Sequence, residues 1–300
     1  MDAGELPAAP VPVTLEPAFD LRPGERAADG RPSALVFASP HSGRVYPSDM
    51  GASARLGETE IRSSEDALVD QLIEAAPRHG CTVLLARYAR AYVDVNREPY
   101  ELDAAMFEDD LPDFARARTA RVAAGLGSIA RLVSEGREIY DRKLTFAEAA
   151  RRIEAVHKPY HQALRRLLDD ARAAHGAAIL VDWHSMPAAA GRGGGGRRQV
   201  DMVLGDRFGS TCSPALTDTV ERTLVGIGYV VSRNAPYAGG YTTEAYGRPI
   251  EGVHALQIEI SRSLYLDEGS LRPKPDFPRV AKDLEQVFAA LAALDPRALR

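Results

Sequence analysis

Short apolar runs alternate along this chain with longer amphipathic stretches, and several of the apolar runs end in polar residues. Apolar runs bounded by turn residues predict buried strands, and apolar residues recurring every three or four positions predict helices. The predicted strands are residues 34–38, 82–85, 92–95, 177–182, 199–204, 228–232 and 254–260. The predicted helices are one that runs from about Ser64 to His79, then 119–135, 146–175, 214–226 and 278–293, with a kink at Pro159.

This alternation of strands and helices predicts a single α/β domain over residues 33–295. We expect a three-layer sandwich, in which a mainly parallel mixed sheet carries helices on both faces. Residues 1–32 show weak periodicity, so we expect a loosely structured N-terminal segment with at most a short strand at 11–14. The glycine stretch 191–196 predicts a flexible loop. It lacks the Lys-Ser/Thr ending of a phosphate-binding P-loop.

Composition narrows the class of protein. The 300 residues are 45% apolar and 26% charged, with a net charge of −5, so we expect neither nucleic acid nor an anionic membrane as a partner. No signal peptide pattern opens the chain, and no apolar run approaches the roughly 20 residues of a membrane helix. We therefore predict a soluble, cytoplasmic protein. Cys81 and Cys212 form no Cys-x-x-Cys pair, which excludes a thiolate zinc finger and predicts two buried thiols.

Two histidines follow predicted strands, which is where open α/β sheets place their ligand sites. His41 lies in Ser39-Pro40-His41-Ser42-Gly43, and His184 lies in Asp182-Trp183-His184-Ser185. A catalytic zinc ion takes three protein ligands and leaves one position for water. The nearest carboxylates for His41 are Glu65 and Asp66, although both could instead cap the following helix. We expect His41, Glu65 and His184 to bind one zinc ion, with Asp66 as the alternative carboxylate.

Other polar residues in apolar surroundings are candidates for catalysis and substrate binding. A buried Glu259 is costly unless it is paired with Arg262 or functions as a general base and acid. Asn96 and Arg97 end a predicted strand and could hold a substrate carboxylate, while Arg90 could face an oxyanion.

Three further features contain candidate functional residues. Loop 239–243, which includes Thr242, predicts a flexible pocket wall. His157 and His161 have zinc-ligand spacing but lack an intervening glutamate, so surface or packing roles are favoured. His254 is expected in the core or as support for a ligand. A serine hydrolase is disfavoured because no Gly-x-Ser-x-Gly motif is present.

Taken in order, these segments resemble the N-formylglutamate amidohydrolase family over about residues 33–270. The matching segments are Ser39-Pro40-His41-Ser42-Gly43, Ser64-Glu65-Asp66, Val93-Asp94-Val95-Asn96-Arg97, His157-Lys158-Pro159-Tyr160-His161, Val181-Asp182-Trp183-His184-Ser185, Gly239-Gly240-Tyr241-Thr242, Gly252-Val253-His254-Ala255-Leu256-Gln257-Ile258-Glu259 and Arg262-Ser263-Leu264-Tyr265. Each segment alone is weakly specific, whereas their number and order make the set specific.

The resemblance implies a zinc-dependent hydrolase with a carboxypeptidase-like α/β fold. Such an enzyme cleaves N-formyl-L-glutamate to formate and L-glutamate, which ends one route of histidine degradation. It also implies that Asn96 and Arg97 clamp a substrate carboxylate, that Arg90 stabilises the oxyanion, and that Glu259 is the catalytic glutamate. We add Arg262 and Thr242 as expected substrate-binding residues.

Two alternatives to this function stay open. One is a related hydrolase of N-acyl amino acids or small peptides. The other is a non-catalytic protein that binds acidic amino acids on the same fold. All three share a small-molecule partner that carries a carboxylate.

Overall fold

A mixed seven-stranded sheet forms the centre of the computed structural model, which describes residues 16–25, 33–133, 136–192 and 199–299. Its strands are β1 Phe19–Arg22, β2 Leu35–Ser39, β3 Thr82–Ala86, β4 Ala178–Met186, β5 Met202–Gly205, β6 Val231–Arg233 and β7 Val253–Ser261. In space they follow the order β1-β3-β2-β4-β7-β5-β6. Strands β1 and β5 run antiparallel to β3 and β7, and the other neighbours are parallel. A two-residue ribbon pairs β8 Leu266–Asp267 with β9 Arg272–Pro273.

Helices cover both faces of this sheet. They are α1 Glu58–Arg62, α2 Val69–Leu72, α3 Ala120–Ala123, α4 Phe146–Arg152, α5 Lys158–His175, α6 Pro214–Ile227, α7 Tyr241–Tyr246 and α8 Phe277–Ala292. Leu164 of α5 belongs to the same apolar cluster as Leu180 of β4. On the opposite face, Leu216 of α6 and Leu284 of α8 share a cluster with Val181. The predicted α/β sandwich with helices on both faces is confirmed.

Alternation along β4 positions polar residues at one end of one face. Leu180 belongs to the α5 layer, whereas Val181 and Trp183 belong to the α6 and α8 layer. Asp182 and His184 therefore continue the α5 face beyond Leu180. Strand β2 lies between β3 and β4. The connection after β2 therefore leads to β3 on one side of it, and the connection after β3 leads to β4 on the other side. Such a reversal leaves a crevice at the carboxyl ends of the two strands, where α/β proteins bind ligands.

Three predicted elements are wrong, although many of their apolar residues are buried. Residues 92–95 form a turn rather than a strand, and only α3 is helical within 119–135. Of the helix expected from Ser64 to His79, only α2 and a 3-10 turn at Ala76–His79 form, because Leu68 adopts a left-handed φ of 65°. Apolar periodicity indicates which residues are buried, but it does not distinguish a helix or strand from a buried loop. A buried loop forms its backbone hydrogen bonds with residues distant in sequence. Asp94 N, for example, donates to Ser128 O at 2.8 Å.

The expected kink at Pro159 takes a different form. Helix α4 passes into a π-helical turn at Ile153–His157, and α5 begins at Lys158 with Pro159 in its first turn. Proline is tolerated there because the first helical N–H groups have no partner within the helix. His157 and His161 are four residues apart and lie on the same side of the helix, with their ring centroids 4.4 Å apart.

The N-terminal segment contains more structure than expected, because Phe19–Arg22 pair with β3 at the sheet edge. The strand expected at 11–14 and most of the glycine stretch lie outside the described residues. Both cysteines are buried free thiols, as predicted. Within the described ranges, none of the helices has the length and apolar character needed to cross a membrane.

Candidate active site

A crevice of about 560 Å³ opens at the carboxyl ends of β2 and β4. The loop after β2 supplies its first histidine, β4 supplies the second, and β7 supplies a glutamate. Eight ionisable or amide side chains of its wall matter here: His41, Asp66, Arg90, Asp94, Asn96, Arg97, His184 and Glu259. The crevice thus gathers most of the residues that the sequence predicts for the site.

His41, Asp66 and His184 form a buried cluster, and each is at most 3% exposed. Asp66 Oδ2 lies 2.9 Å from His184 Nδ1 and 3.4 Å from His41 Nδ1. One nitrogen or oxygen from each residue lies within 4.8 Å of the others. Across the described ranges, this is the one group of three or more potential ligands that meets this criterion. Its donor atoms suit a divalent metal ion.

The outer nitrogen of each histidine is held by an aspartate. His41 Nε2 lies 2.7 Å from Asp94 Oδ1, and His184 Nε2 lies 2.9 Å from Asp182 Oδ2. A carboxylate in this position accepts the Nε2–H and leaves the Nδ1 lone pair directed inward. His41 Nδ1 is buried, and no residue in the described part of the chain hydrogen-bonds to it. This orphaned lone pair fits a metal ligand.

The carboxylate beside the histidines belongs to Asp66, so the expectation for Glu65 is corrected. Glu65 Oε1 accepts from Tyr46 Oη at 2.7 Å and from Arg62 Nε at 3.0 Å. These bonds hold the Glu65 carboxylate away from the cluster. Asp66 instead donates its backbone N–H to His41 O at 2.9 Å, which ties it to the loop of the first histidine.

Arg262 has a role other than the expected substrate contact. Its Nε donates to Ser185 Oγ at 3.1 Å, and its Nη2 donates to Glu65 O at 2.7 Å and to Asp66 Oδ1 at 3.3 Å. With its donors bonded to the protein, Arg262 fixes Asp66. Among the described residues it forms no ion pair with Glu259, which was the structural alternative for that glutamate.

Glu259 lies on β7 directly opposite His184 of β4 in the strand register. Its Oε1 accepts a hydrogen bond from Gln257 Nε2 at 2.8 Å. Burial raises the pKa of Glu259 to about 7, and the charges of Asp66 and Asp182 act in the same direction. A carboxyl group that titrates near neutrality can both accept and return a proton.

The segment around Asp94 carries Arg90 before it and the Asn96 amide and Arg97 after it. Arg90 Nη2 donates to Asp94 Oδ2 at 2.7 Å. Arg97 donates from Nε to Leu126 O at 3.0 Å and from Nη1 to Asn96 O at 2.8 Å. In the described part of the chain no hydrogen bond engages Arg97 Nη2, so this group is available to an anion in the crevice.

Asn96 is already bonded within the protein. Its Oδ1 accepts from Thr242 N at 2.7 Å, and its Nδ2 donates to Asp182 Oδ2 at 3.3 Å. Thr242 is wholly buried and does not line the crevice, so the structure places this expected substrate-binding residue outside the open space. A Cβ at Gly240 would lie 2.6 Å from Asn96 Nδ2, which explains the glycine at this position.

His157 and His161 are buried, with their ring centroids 4.4 Å apart. Both contact the backbone of the turn that contains Asn96. His157 Nε2 lies 2.9 Å from Arg97 O, and His161 Nε2 lies 2.7 Å from Val95 O. The favoured packing role is thus specific: the two rings fix the backbone on either side of Asn96.

Asp94, which orients His41, is a residue of the site for which the sequence predicted no role. A signal was present, because Asp94 stands between the apolar residues Val93 and Val95 in a run that predicts burial. A buried carboxylate requires a partner, and in this crevice the partners are an imidazole and Arg90.

Comparisons with known proteins point to one family. A sequence model of the N-formylglutamate amidohydrolase family matches residues 33–266. N-formylglutamate deformylases of Pseudomonas putida and Pseudomonas aeruginosa are each 30% identical, over 237 and 239 residues, which is 78% of this chain and 82% of each relative. The crystal structure of N-formylglutamate amidohydrolase from Ralstonia eutropha JMP134 is 40% identical with a TM-score of 0.87, covering 94% of this chain and 99% of that one. A protein of Agrobacterium tumefaciens, 20% identical with a TM-score of 0.60, shares the fold.

The fold, the site and these relatives define a hydrolase that acts on an amide bond. More particularly, the chain belongs to the N-formylglutamate amidohydrolase family. The resemblance predicted over residues 33–270 is confirmed.

The buried His161 makes the stability of the fold depend on pH. Burial, with a smaller contribution from His157, lowers the pKa of His161 from 6.5 to about 3. Between these values the unfolded chain binds the proton, so this stabilisation is complete above pH 6.5 and is lost as the pH falls.

We expect wild type to lose up to about 1.4 kcal/mol per pH unit more than His161→Gln below pH 6.5. The free energy of urea unfolding, measured at pH 7.5, 6.5 and 5.5, checks this. Equal pH slopes for the two proteins would contradict the assignment.

Proposed function

We propose that this chain hydrolyses N-formyl-L-glutamate, or a close N-acyl amino acid, to formate and L-glutamate with one zinc ion as cofactor. The observation that carries the proposal is the His41-Asp66-His184 cluster, whose outer nitrogens are fixed by aspartates, beside a glutamate that titrates near neutrality. The names of the relatives support the substrate. Histidine degradation and a cytoplasmic location stay predictions.

His41 Nδ1, His184 Nδ1 and an Asp66 carboxylate oxygen would hold the ion, with Asp66 in place of the expected Glu65. Two imidazoles and one carboxylate are a catalytic zinc set that leaves a position for water or substrate. When bound, zinc supplies a Lewis acid that polarises a carbonyl group and makes water nucleophilic near neutral pH. The buried, unbonded Nδ1 of His41 supports this assignment.

The protein groups then have separate roles. Glu259 removes a proton from the attacking water molecule as the water oxygen bonds to the formyl carbon. Arg90 faces the negative charge that develops on the formyl oxygen. Glu259 returns the proton to the amide nitrogen as the C–N bond breaks, which releases formate and a free amine. Arg97 holds the α-carboxylate, and Asn96 supports the Asp182–His184 pair beside it.

A substrate panel tests the reaction against its two alternatives. We expect zinc-loaded protein to favour N-formyl-L-glutamate over N-acetyl-L-glutamate by about 10–200-fold in kcat/KM, because the two differ by one methyl group at the acyl position. Chelation should abolish the activity, and added zinc should restore it. Preference for the acetyl substrate would indicate the related amidohydrolase. Binding of L-glutamate without turnover of any substrate would indicate the binding protein.

The metal ligand is tested by a matched pair of adjacent variants. Asp66→Asn should lower zinc affinity by at least about 100-fold, since loss of even a supporting partner costs 10–100-fold. Glu65→Gln removes an adjacent buried charge and should retain one zinc per chain. Competition with a chromogenic chelator measures both affinities. If Glu65→Gln lost zinc affinity and Asp66→Asn kept it, Glu65 rather than Asp66 would be the metal ligand.

The proton-transfer role of Glu259 predicts a separate effect. Glu259→Gln keeps the side-chain shape and should lower kcat by about 10²–10⁴-fold, with the zinc content unchanged. Steady-state kinetics and metal analysis of the same preparation provide the two measurements. Glu251→Gln, which changes an exposed carboxylate that does not line the crevice, is the control and should retain activity. Activity of Glu259→Gln at the wild-type rate would refute the assignment.

A further inference from the structure

Four arginines line the crevice, but they differ in what they are bonded to. They are Arg90, Arg97, Arg121 and Arg262. Arg90 forms an ion pair with Asp94 at 2.7 Å, and Arg262 is bonded to the protein around Asp66. Arg97 keeps Nη2 available. Arg121 has no part in the reaction described above, although its guanidinium group borders the same space.

Arg121 belongs to the short helix α3, and buried Glu101 is its one ion-pair partner among the described residues. Thr119 caps α3 by accepting a bond from Val122 N at 3.1 Å, and the Thr119 hydroxyl donates to buried Glu101. The other oxygen of Glu101 lies 3.8 Å from Arg121 Nη1, which is beyond hydrogen-bond distance. Within the described ranges no hydrogen bond engages the Arg121 guanidinium group, and its side chain is 34% exposed.

Arg121 and Arg97 belong to one corner of the crevice. Leu126, three residues beyond the end of α3, accepts the bond from Arg97 Nε. Burial lowers the pKa of Arg97, and the positive charges of Arg90 and Arg121 lower it further. Two cations at one wall repel each other, and a ligand with two negative charges relieves that repulsion.

We propose that Arg121 binds the side-chain carboxylate of the substrate while Arg97 holds the α-carboxylate, so that this pair selects dianionic N-acyl amino acids. The inference rests on the proposed function and deepens it. The crevice lining also includes the apolar residues Ala124, Leu126 and Leu132, which suit the methylene groups of glutamate. A neutral amide in place of the carboxylate would present its own N–H donors to a guanidinium group that can only donate.

The test compares two substrates that differ only at the side-chain terminus, N-formyl-L-glutamate and N-formyl-L-glutamine. Arg121→Met keeps an apolar stem and removes the charge. We expect it to lower kcat/KM for the glutamate substrate by about 10–100-fold, mainly through KM, because a charge-assisted hydrogen bond is lost. The glutamine substrate should be unaffected. Arg121→Lys should recover part of the loss.

Arg118→Met provides the matched control. Arg118 is exposed, lies three residues before Arg121 and does not border the crevice. Removing its charge should leave both substrates unchanged. Calorimetric binding of L-glutamate and L-glutamine to wild type and Arg121→Met gives a readout that needs no turnover, and only glutamate should bind more weakly to the variant.

Two results would overturn the Arg121 assignment in an active wild type: an equal loss for both substrates, or an unchanged preference for glutamate over glutamine. Failure of wild type to cleave either formyl substrate is a distinct outcome. It would refute the proposed function, and the substrate assignment of Arg121 with it.

Discussion

The structure of the site depends on two buried aspartate–imidazole contacts, Asp94 with His41 and Asp182 with His184. A buried carboxylate is costly without a partner, and an imidazole has two nitrogens of which only one carries the proton when neutral. Bonding the outer nitrogen to an aspartate satisfies the carboxylate and directs the other lone pair inward. Because both histidines are held in this way, their inner nitrogens converge on Asp66.

The turn from Asp94 to Arg97 joins this centre to the rest of the fold. Its backbone is held by Ser128 and by His157 and His161 of the helical layer. Asp94 contacts His41, Asn96 contacts the Asp182 that pairs with His184, and Arg97 lines the crevice. Such a turn has no regular secondary structure of its own, so its rigidity comes from the buried bonds around it.

Charge is distributed unevenly along the crevice. Carboxylates concentrate where β4 and β7 end, and arginines concentrate along the 90–126 wall. The carboxylates of Asp66 and Asp182, added to burial, account for a glutamate that titrates near neutrality. The arginine wall provides the opposite environment, suited to an anionic substrate. In the proposed reaction, proton transfer would take place at the carboxylate end of the crevice and substrate recognition at the arginine wall.

Much of this protein was predictable from its sequence: the α/β class, the family, and the placement of His41 and His184 at strand ends. Strands alternate side chains with a period of two, so residues such as Asp182 and His184 reveal their shared face locally. No such period governs the loops. The choice of Asp66 over Glu65, the role of Asp94 and the anchoring of Arg262 were decided only by the tertiary structure. Each depends on hydrogen bonds between segments distant in sequence, such as Asp66 N to His41 O, which local pattern does not contain.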